Sequence, residues 1–178
     1  GPPPTSGTRD AFIELVMEHG CSEVKEVAQI ITAKKALRQA CMAIREDGAY
    51  VEAGENDNLI IQKLDANQDA FGIFGYSFLE ENTAKLKGVA IEGVEPEYDA
   101  ISAGKYKGAR PLFVYAKKQH AGVIPGMDKF IAEYVSDKAM SKDGYLARKG
   151  LVALPGDEAK KVAEGAIAMK TITIDATH

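Results

Sequence analysis

The apolar positions of this chain fall into short helical periods broken by glycine, proline and Asp/Asn clusters. From Lys34 to Glu46, Leu37, Ala40, Cys41 and Ile44 repeat at the i, i+3, i+4, i+7 spacing of one buried helix face. Phe12, Leu15 and Val16 mark a helix over Ala11 to Glu18. Ser6 is its natural N-cap, Asp10 suits its first turn, and Gly20 would end it. Asn56, Asp57 and Asn58 offer cap residues for a helix from Leu59 to Leu64. Further helices are expected from Ser77 to Lys87, Pro96 to Ala103, Gly126 to Val135, Asp137 to Arg148 and Asp157 to Met169.

Between them lie apolar runs of strand length. Tyr50-Val51, Val89 to Ile91 and Leu112 to Ala116 read as strands, and so does Ala70 to Tyr76 despite Gly72 and Gly75. Short strands alternating with longer helices predict an α/β fold. The opening Gly1-Pro2-Pro3-Pro4-Thr5 is barred from helix, because proline lacks the N–H and its predecessor avoids the α region. Gly104 to Arg110, rich in glycine and lysine, is the best place for a hinge or boundary.

Composition narrows the classes. The 178 residues suit one domain or slightly more, and 46% hydrophobic with 27% charged residues is ordinary globular usage. With 22 basic and 26 acidic side chains the net charge is -4, which excludes a bulk electrostatic grip on nucleic acid or anionic lipid. Any anion must therefore be held by a specific pocket. No apolar run reaches the ~18–20 residues needed to cross a bilayer. No basic leader with a following apolar segment opens the chain, so it reads as mature, trimmed or cytosolic. Cys21, Cys41, His19, His120 and His178 form none of the local spacings of a zinc site. Cys41 lies on an apolar helix face. It reads equally as a small buried thiol or as a disulfide partner of Cys21, which would stabilise by about 3 kcal/mol in an oxidising compartment.

The strongest candidate chemistry is Thr5-Ser6-Gly7-Thr8-Arg9 at a helix start. The first N–H groups of a helix lack intrahelical partners and carry partial positive charge. Gly7 lets an anion reach the backbone, Ser6 and Thr8 add hydroxyl donors, and Arg9 adds a planar fork. Together they can cradle a phosphate, although the commoner duty of such a stretch is plain capping. A Walker A loop and a Gly-x-Ser-x-Gly elbow are both absent from the sequence. Glu55 to Asn58 clusters carboxylates and amides, but without the EF-hand repeat; its plain reading is a solvated capping loop. Arg45, just beyond the second helix, reads plainly as an exposed helix-terminal cation. Tyr76, Tyr106 and Tyr115 can line a cleft or simply sit half-buried.

Several blocks, in order, resemble one known family. Gly1 to Phe12, Glu55 to Ile60, Gly72 to Leu79, Gly93 to Pro96, Arg110 to Tyr115, Gly144 to Leu146 and Gly150 to Pro155 are similar to the PstS-like periplasmic phosphate-binding proteins of the phosphate ABC transporter. The resemblance implies a type II periplasmic-binding-protein lobe, with a mixed sheet flanked by helices and the amino-terminal lobe largely missing. Residues 1–107 would be the second lobe, which carries the Ser-Gly-Thr motif. Residues 108–178 would be a hinge return and a helical segment packing on the missing lobe.

Carried over by position, Ser6, Gly7 and Thr8 are the anion-binding trio. The arginine that the family places shortly before the motif has no counterpart in Gly1 to Thr5, which leaves Arg9 and then Arg45 as guanidinium candidates. Asp57 would orient the arginine or face the ligand. The implied function is non-enzymatic: an extracytoplasmic, periplasmic protein that hands inorganic phosphate to a membrane permease. It would need no cofactor, metal, nucleic acid or membrane insertion, and could self-associate through the face left by the missing lobe. The alternatives are the same fold binding sulfate or molybdate, and a phosphatase-type enzyme. Selectivity would follow from protonation, since a buried carboxylate accepts a hydrogen bond from phosphate but repels sulfate; that carboxylate belongs to the missing lobe.

Overall fold

A computed structural model describes residues 1–31 and 33–172. The first helical run begins where Ser6 caps it. It comprises α1 (Gly7–Phe12), a π-helical stretch (Ile13–Glu18) and α2 (His19–Ser22). It therefore passes through Gly20, which adopts no left-handed turn and so gives the helix no stop. A helix that the apolar pattern did not announce follows, α3 (Lys25–Ile30). Next, α4 (Lys34–Met42) ends short of Glu46 because Ala43 is already extended. A disulfide joins Cys21 to Cys41, with 5.4 Å between the Cα atoms, and Cys41 is also buried. Of the two readings of that cysteine the disulfide is the one that holds, and the bond ties α2 to α4.

Helix α5 (Asp57–Ala66) starts at Asn56, whose side chain accepts from the Asn58 N–H at 3.0 Å. Its inward face buries Ile60 and Ile61. Helix α6 (Tyr76–Glu81) follows Gly75, and α7 (Tyr98–Ser102) lies within the expected Pro96 to Ala103. Further on come α8 (Met127–Tyr134), α9 (Asp137–Met140) and α10 (Gly156–Ile167). The expected helix from Asp137 to Arg148 is broken. After α9 the chain folds back so that Gly144 lies against the Ala139 carbonyl, and only the 3-10 turn Ala147–Lys149 remains helical.

The mixed sheet expected for an α/β lobe does not form. Among the described residues the only β pairing is an isolated antiparallel bridge between Ile91 and Val94. It is closed by reciprocal N–H to carbonyl bonds of 3.0 Å across Glu92 and Gly93, both with positive φ as a primed turn demands. Tyr50-Val51, Ala70 to Phe74 and Leu112 to Ala116 are irregular, with no ladder partner among the described residues. The physical reason is that strand propensity describes fit to a neighbouring strand and a buried face. Leu112, Phe113, Val114 and Tyr115 have neither, and each is at least 59% exposed. The fold is correctly described as helices joined by irregular segments.

The chain divides into two compact units. One comprises Gly1–Ala100 with Gly104–Arg110; the other comprises Ile101–Ala103 with the chain from Pro111 onward. In the first, the buried residues include Pro2, Cys41, Ala53, Ile60 and Ile61. In the second, Ala139 and Gly144 are buried, α8 packs on α9 and α10, and Ser102 Oγ donates to the Ala153 carbonyl at 2.6 Å. No described helix is long and apolar enough to cross a membrane.

Candidate functional site

The proline-rich opening places the Ser6-Gly7-Thr8 turn. Pro2 is fully buried and its carbonyl accepts from the Tyr50 hydroxyl at 2.7 Å. The Gly1 carbonyl accepts from the Ala53 N–H at 2.9 Å. The Ser6 N–H then donates to the Pro3 carbonyl at 3.0 Å, which closes a turn, and Thr5 Oγ1 donates to the Glu55 carboxylate. These bonds fix the chain that enters α1 to the segment from Tyr50 to Glu55.

At the turn itself Ser6 is extended, and its Oγ accepts from the Thr8 N–H at 3.2 Å. The Ser6 carbonyl accepts from the Arg9 and Asp10 N–H groups at 3.1 and 3.2 Å. Among the described residues, no hydrogen bond uses the Gly7 N–H or the Thr8 hydroxyl. The turn therefore offers one main-chain donor and one hydroxyl donor with no protein acceptor. The Ser6 hydroxyl proton adds a third, since Ser6 Oγ acts only as acceptor in its cap. The capping reading and the anion-cradle reading are thus compatible at the same three residues.

Arg9 leaves the turn in the other direction. Its Nη1 donates to Glu52 at 2.8 Å, and its guanidinium lies 5.3 Å from the centre of the Tyr50 ring. Burial raises the Tyr50 phenol above its ordinary range, against the pull of the Arg9 charge. A second guanidinium, from Arg110, reaches the turn from far along the chain. Arg110 Nη2 donates to the Gly7 carbonyl at 3.2 Å and Nη1 to Glu14 at 3.4 Å.

The remaining candidates stand elsewhere. Asp57 opens α5, and its carboxylate accepts from the Gly75 N–H at 3.3 Å, tying the start of α5 to the entry of α6. Arg45 is exposed and forks onto Asp47 two residues away. That hydrogen bond, helped by the Ala49 N–H, holds the Asp47 carboxyl down at about 2. No hydrogen bond or ion pair among the described residues links Arg45 or Asp57 to the turn. An open cleft of about 450 Å³, lined by Glu52, Ala53, Leu59, Gln62, Lys63 and Ala66, contains none of the anticipated residues. Tyr106 donates to the Val89 carbonyl at 3.1 Å, and Tyr76 meets Glu80 at 3.5 Å. No group of His, Cys, Asp or Glu among the described residues can hold a metal ion; His178 lies outside them.

Arg110 was not among the sequence-derived site residues. Its separation of 103 residues from Gly7 hides the pairing from any local pattern. The one signal that could have found it was its position at the head of the Arg110 to Tyr115 block.

A family model described as a PBP superfamily domain matches residues 1–138. The chain is 36% identical over 103 residues to the phosphate-binding protein PstS of Staphylococcus haemolyticus, a match covering 54% of this chain and 33% of that protein. It is 28% identical over 159 residues to PstS of Staphylococcus saprophyticus, covering 86% and 40%. With the protein SphX of Synechococcus elongatus it shares 33% identity over 110 residues, covering 58% and 31%. The chain thus spans about a third to two-fifths of the length of these curated relatives. No solved structure matches it.

Proposed function

The chain belongs to the PBP superfamily, and we propose that it is the part of a PstS-like phosphate-binding protein that presents the Ser6-Gly7-Thr8 turn to inorganic phosphate. The whole protein would deliver phosphate to an ABC transporter permease from the extracytoplasmic, periplasmic side. The observation that carries this reading is the turn. Among the described residues the Gly7 N–H and the Thr8 hydroxyl have no hydrogen-bond acceptor, and the Ser6 hydroxyl caps the turn through its lone pair. The names of the relatives at 36% and 28% identity point to the same ligand.

The chemistry is binding alone. The anion would take the Gly7 N–H, reaching it where no Cβ intervenes. The Ser6 and Thr8 hydroxyls would donate to further oxygens. Each bond is charge-assisted and therefore stronger than a neutral one. A water-poor surrounding would strengthen all of them. Arg9, Arg45 and Asp57 remain ligand candidates in this reading. Arg9 stands beside the turn but is paired with Glu52, whereas Arg45 and Asp57 would have to exchange their present partners.

Calorimetric titration of the chain with phosphate, sulfate and molybdate tests the proposal. All three anions should compete for the turn, and Ser6→Ala with Thr8→Val should weaken phosphate binding about tenfold or more. No phosphate binding, or phosphate affinity unchanged in that double variant, would overturn the proposal.

A further inference from the structure

We infer that Arg110 supplies the guanidinium for the phosphate held at the Ser6-Gly7-Thr8 turn, and that Glu14 is the carboxylate that parks it there when no anion is bound. The inference rests on the turn being the phosphate site proposed above. Three arginines compete for the role, and their present partners separate them. Arg9 is committed: its side chain is only 15% exposed, it is bonded to Glu52 at 2.8 Å and it sits over the Tyr50 ring. Arg45 is bonded by two nitrogens to its own neighbour Asp47, and no bond among the described residues holds it near the turn. Arg110 is the one that touches the turn, through the Gly7 carbonyl at 3.2 Å. A Cβ built on Gly7 would stand 3.9 Å from Arg110 Nη2, so the guanidinium flanks the open side of the glycine.

Its hold is also the loosest of the three that a ligand would have to displace. The Glu14 contact is 3.4 Å, the Gly7 contact goes to a neutral carbonyl, and the two side chains are 40% and 51% exposed. A half-exposed pair of that length is worth little, whereas a fork onto a phosphate oxygen pair is among the stronger charge-assisted contacts. The segment that delivers Arg110 is held by contacts of its own. The Tyr106 hydroxyl is fixed to the Val89 carbonyl, and Gly108 lies so close to the Tyr106 ring and Ile91 that a Cβ there would stand 2.8 and 2.9 Å from them. Arg110 thus reaches the turn across 103 residues of sequence, and Glu14 lies one to two helical turns further along the same run.

The test is phosphate titration of the unsubstituted chain beside Arg110→Gln, Arg110→Lys, Glu14→Gln and Arg9→Gln, each checked for helical content by circular dichroism. Arg110→Gln should lower phosphate affinity about tenfold or more, and Arg110→Lys by a smaller factor, because charge is kept but the fork is lost. Glu14→Gln should move affinity the opposite way, raising it about two- to fivefold by freeing the guanidinium. A purely structural pair would make Glu14→Gln and Arg110→Gln fall together, which would overturn the inference. Phosphate affinity kept within twofold in Arg110→Gln while Arg9→Gln loses it would overturn it as well, and would leave the turn itself intact as the site. Should Arg110→Gln not fold, Arg110→Lys and Glu14→Gln still carry the opposite-sign test. Absence of phosphate binding by the unsubstituted chain would overturn the site reading and this assignment together.

Discussion

The Tyr50 hydroxyl donates to the Pro2 carbonyl at 2.7 Å across 48 residues, and the Pro2 side chain is fully buried. With the Ala53 to Gly1 and Thr5 to Glu55 bonds, this bond clips the segment that leads into α1 to the segment before α5. Tyr50→Phe removes the donor but keeps the ring under Arg9. The half-buried Pro2 carbonyl is then left short of a partner, so stability should fall by about 1–2 kcal/mol. Urea denaturation followed by far-ultraviolet circular dichroism measures this; an unchanged midpoint would show that water replaces the phenol without loss.

Gly144 and Gly165 predict opposite signs for the same substitution. A Cβ on Gly144 would run into the Ala139 carbonyl, which already accepts from the Leu146 N–H at 3.1 Å. Gly144→Ala should therefore destabilise by about 1–3 kcal/mol, as overpacking does. Gly165 lies within α10 with nothing inside 4 Å of its built Cβ. Gly165→Ala should stabilise by roughly 0.5–1 kcal/mol through helix propensity. Paired thermal melts decide both.

The Cys21–Cys41 bond closes a stretch with a sequence separation of 20. Restricting the unfolded chain over a loop of that size is worth about 3 kcal/mol in the chain-entropy account. Reduction, or the double change Cys21→Ala with Cys41→Ala, should cost about that amount in urea titration. Because Cys41 is also buried, the alanine pair adds a small packing loss that reduction does not.

Alkaline pH should loosen the first unit. Burial raises the Tyr106 phenol above its ordinary range near 10, and the Glu95 carboxylate adds to the effect. A pKa raised by folding means that the neutral phenol favours the folded state. The stabilisation is full below the unfolded value and is lost as pH climbs through the folded one. A phenolate also cannot donate to the Val89 carbonyl. Absorbance titration near 295 nm, compared with Tyr106→Phe, should show Tyr106 ionising late, and that variant should flatten the stability profile above pH 10.

Helix starts were readable because their determinants are local. Ser6 capping α1 and Asn56 capping α5 each need a partner only two residues away, and the Leu37 to Ile44 periodicity places α4. The sheet was misread for the opposite reason. Leu112 to Ala116 has strand-forming residues, yet strand identity depends on a neighbour that no run of residues can display on its own. Gly20 suggested a stop, but the helical run continues to Ser22 without the left-handed turn that such a stop needs. The candidate trio Ser6, Gly7 and Thr8 was visible as a contiguous motif, whereas Arg110 joins it only through the path of the folded chain.

The bare stretch from Leu112 to Tyr115 has a practical corollary for handling the protein. Solvatochromic dyes such as anilinonaphthalene sulfonate should adhere to these uncovered side chains in the native state and glow before any heating. Dye-based melting curves would then start from a high baseline and understate the transition. Hydrophobic-interaction resin should retain the folded protein, and a lysine in place of Val114 should release it earlier.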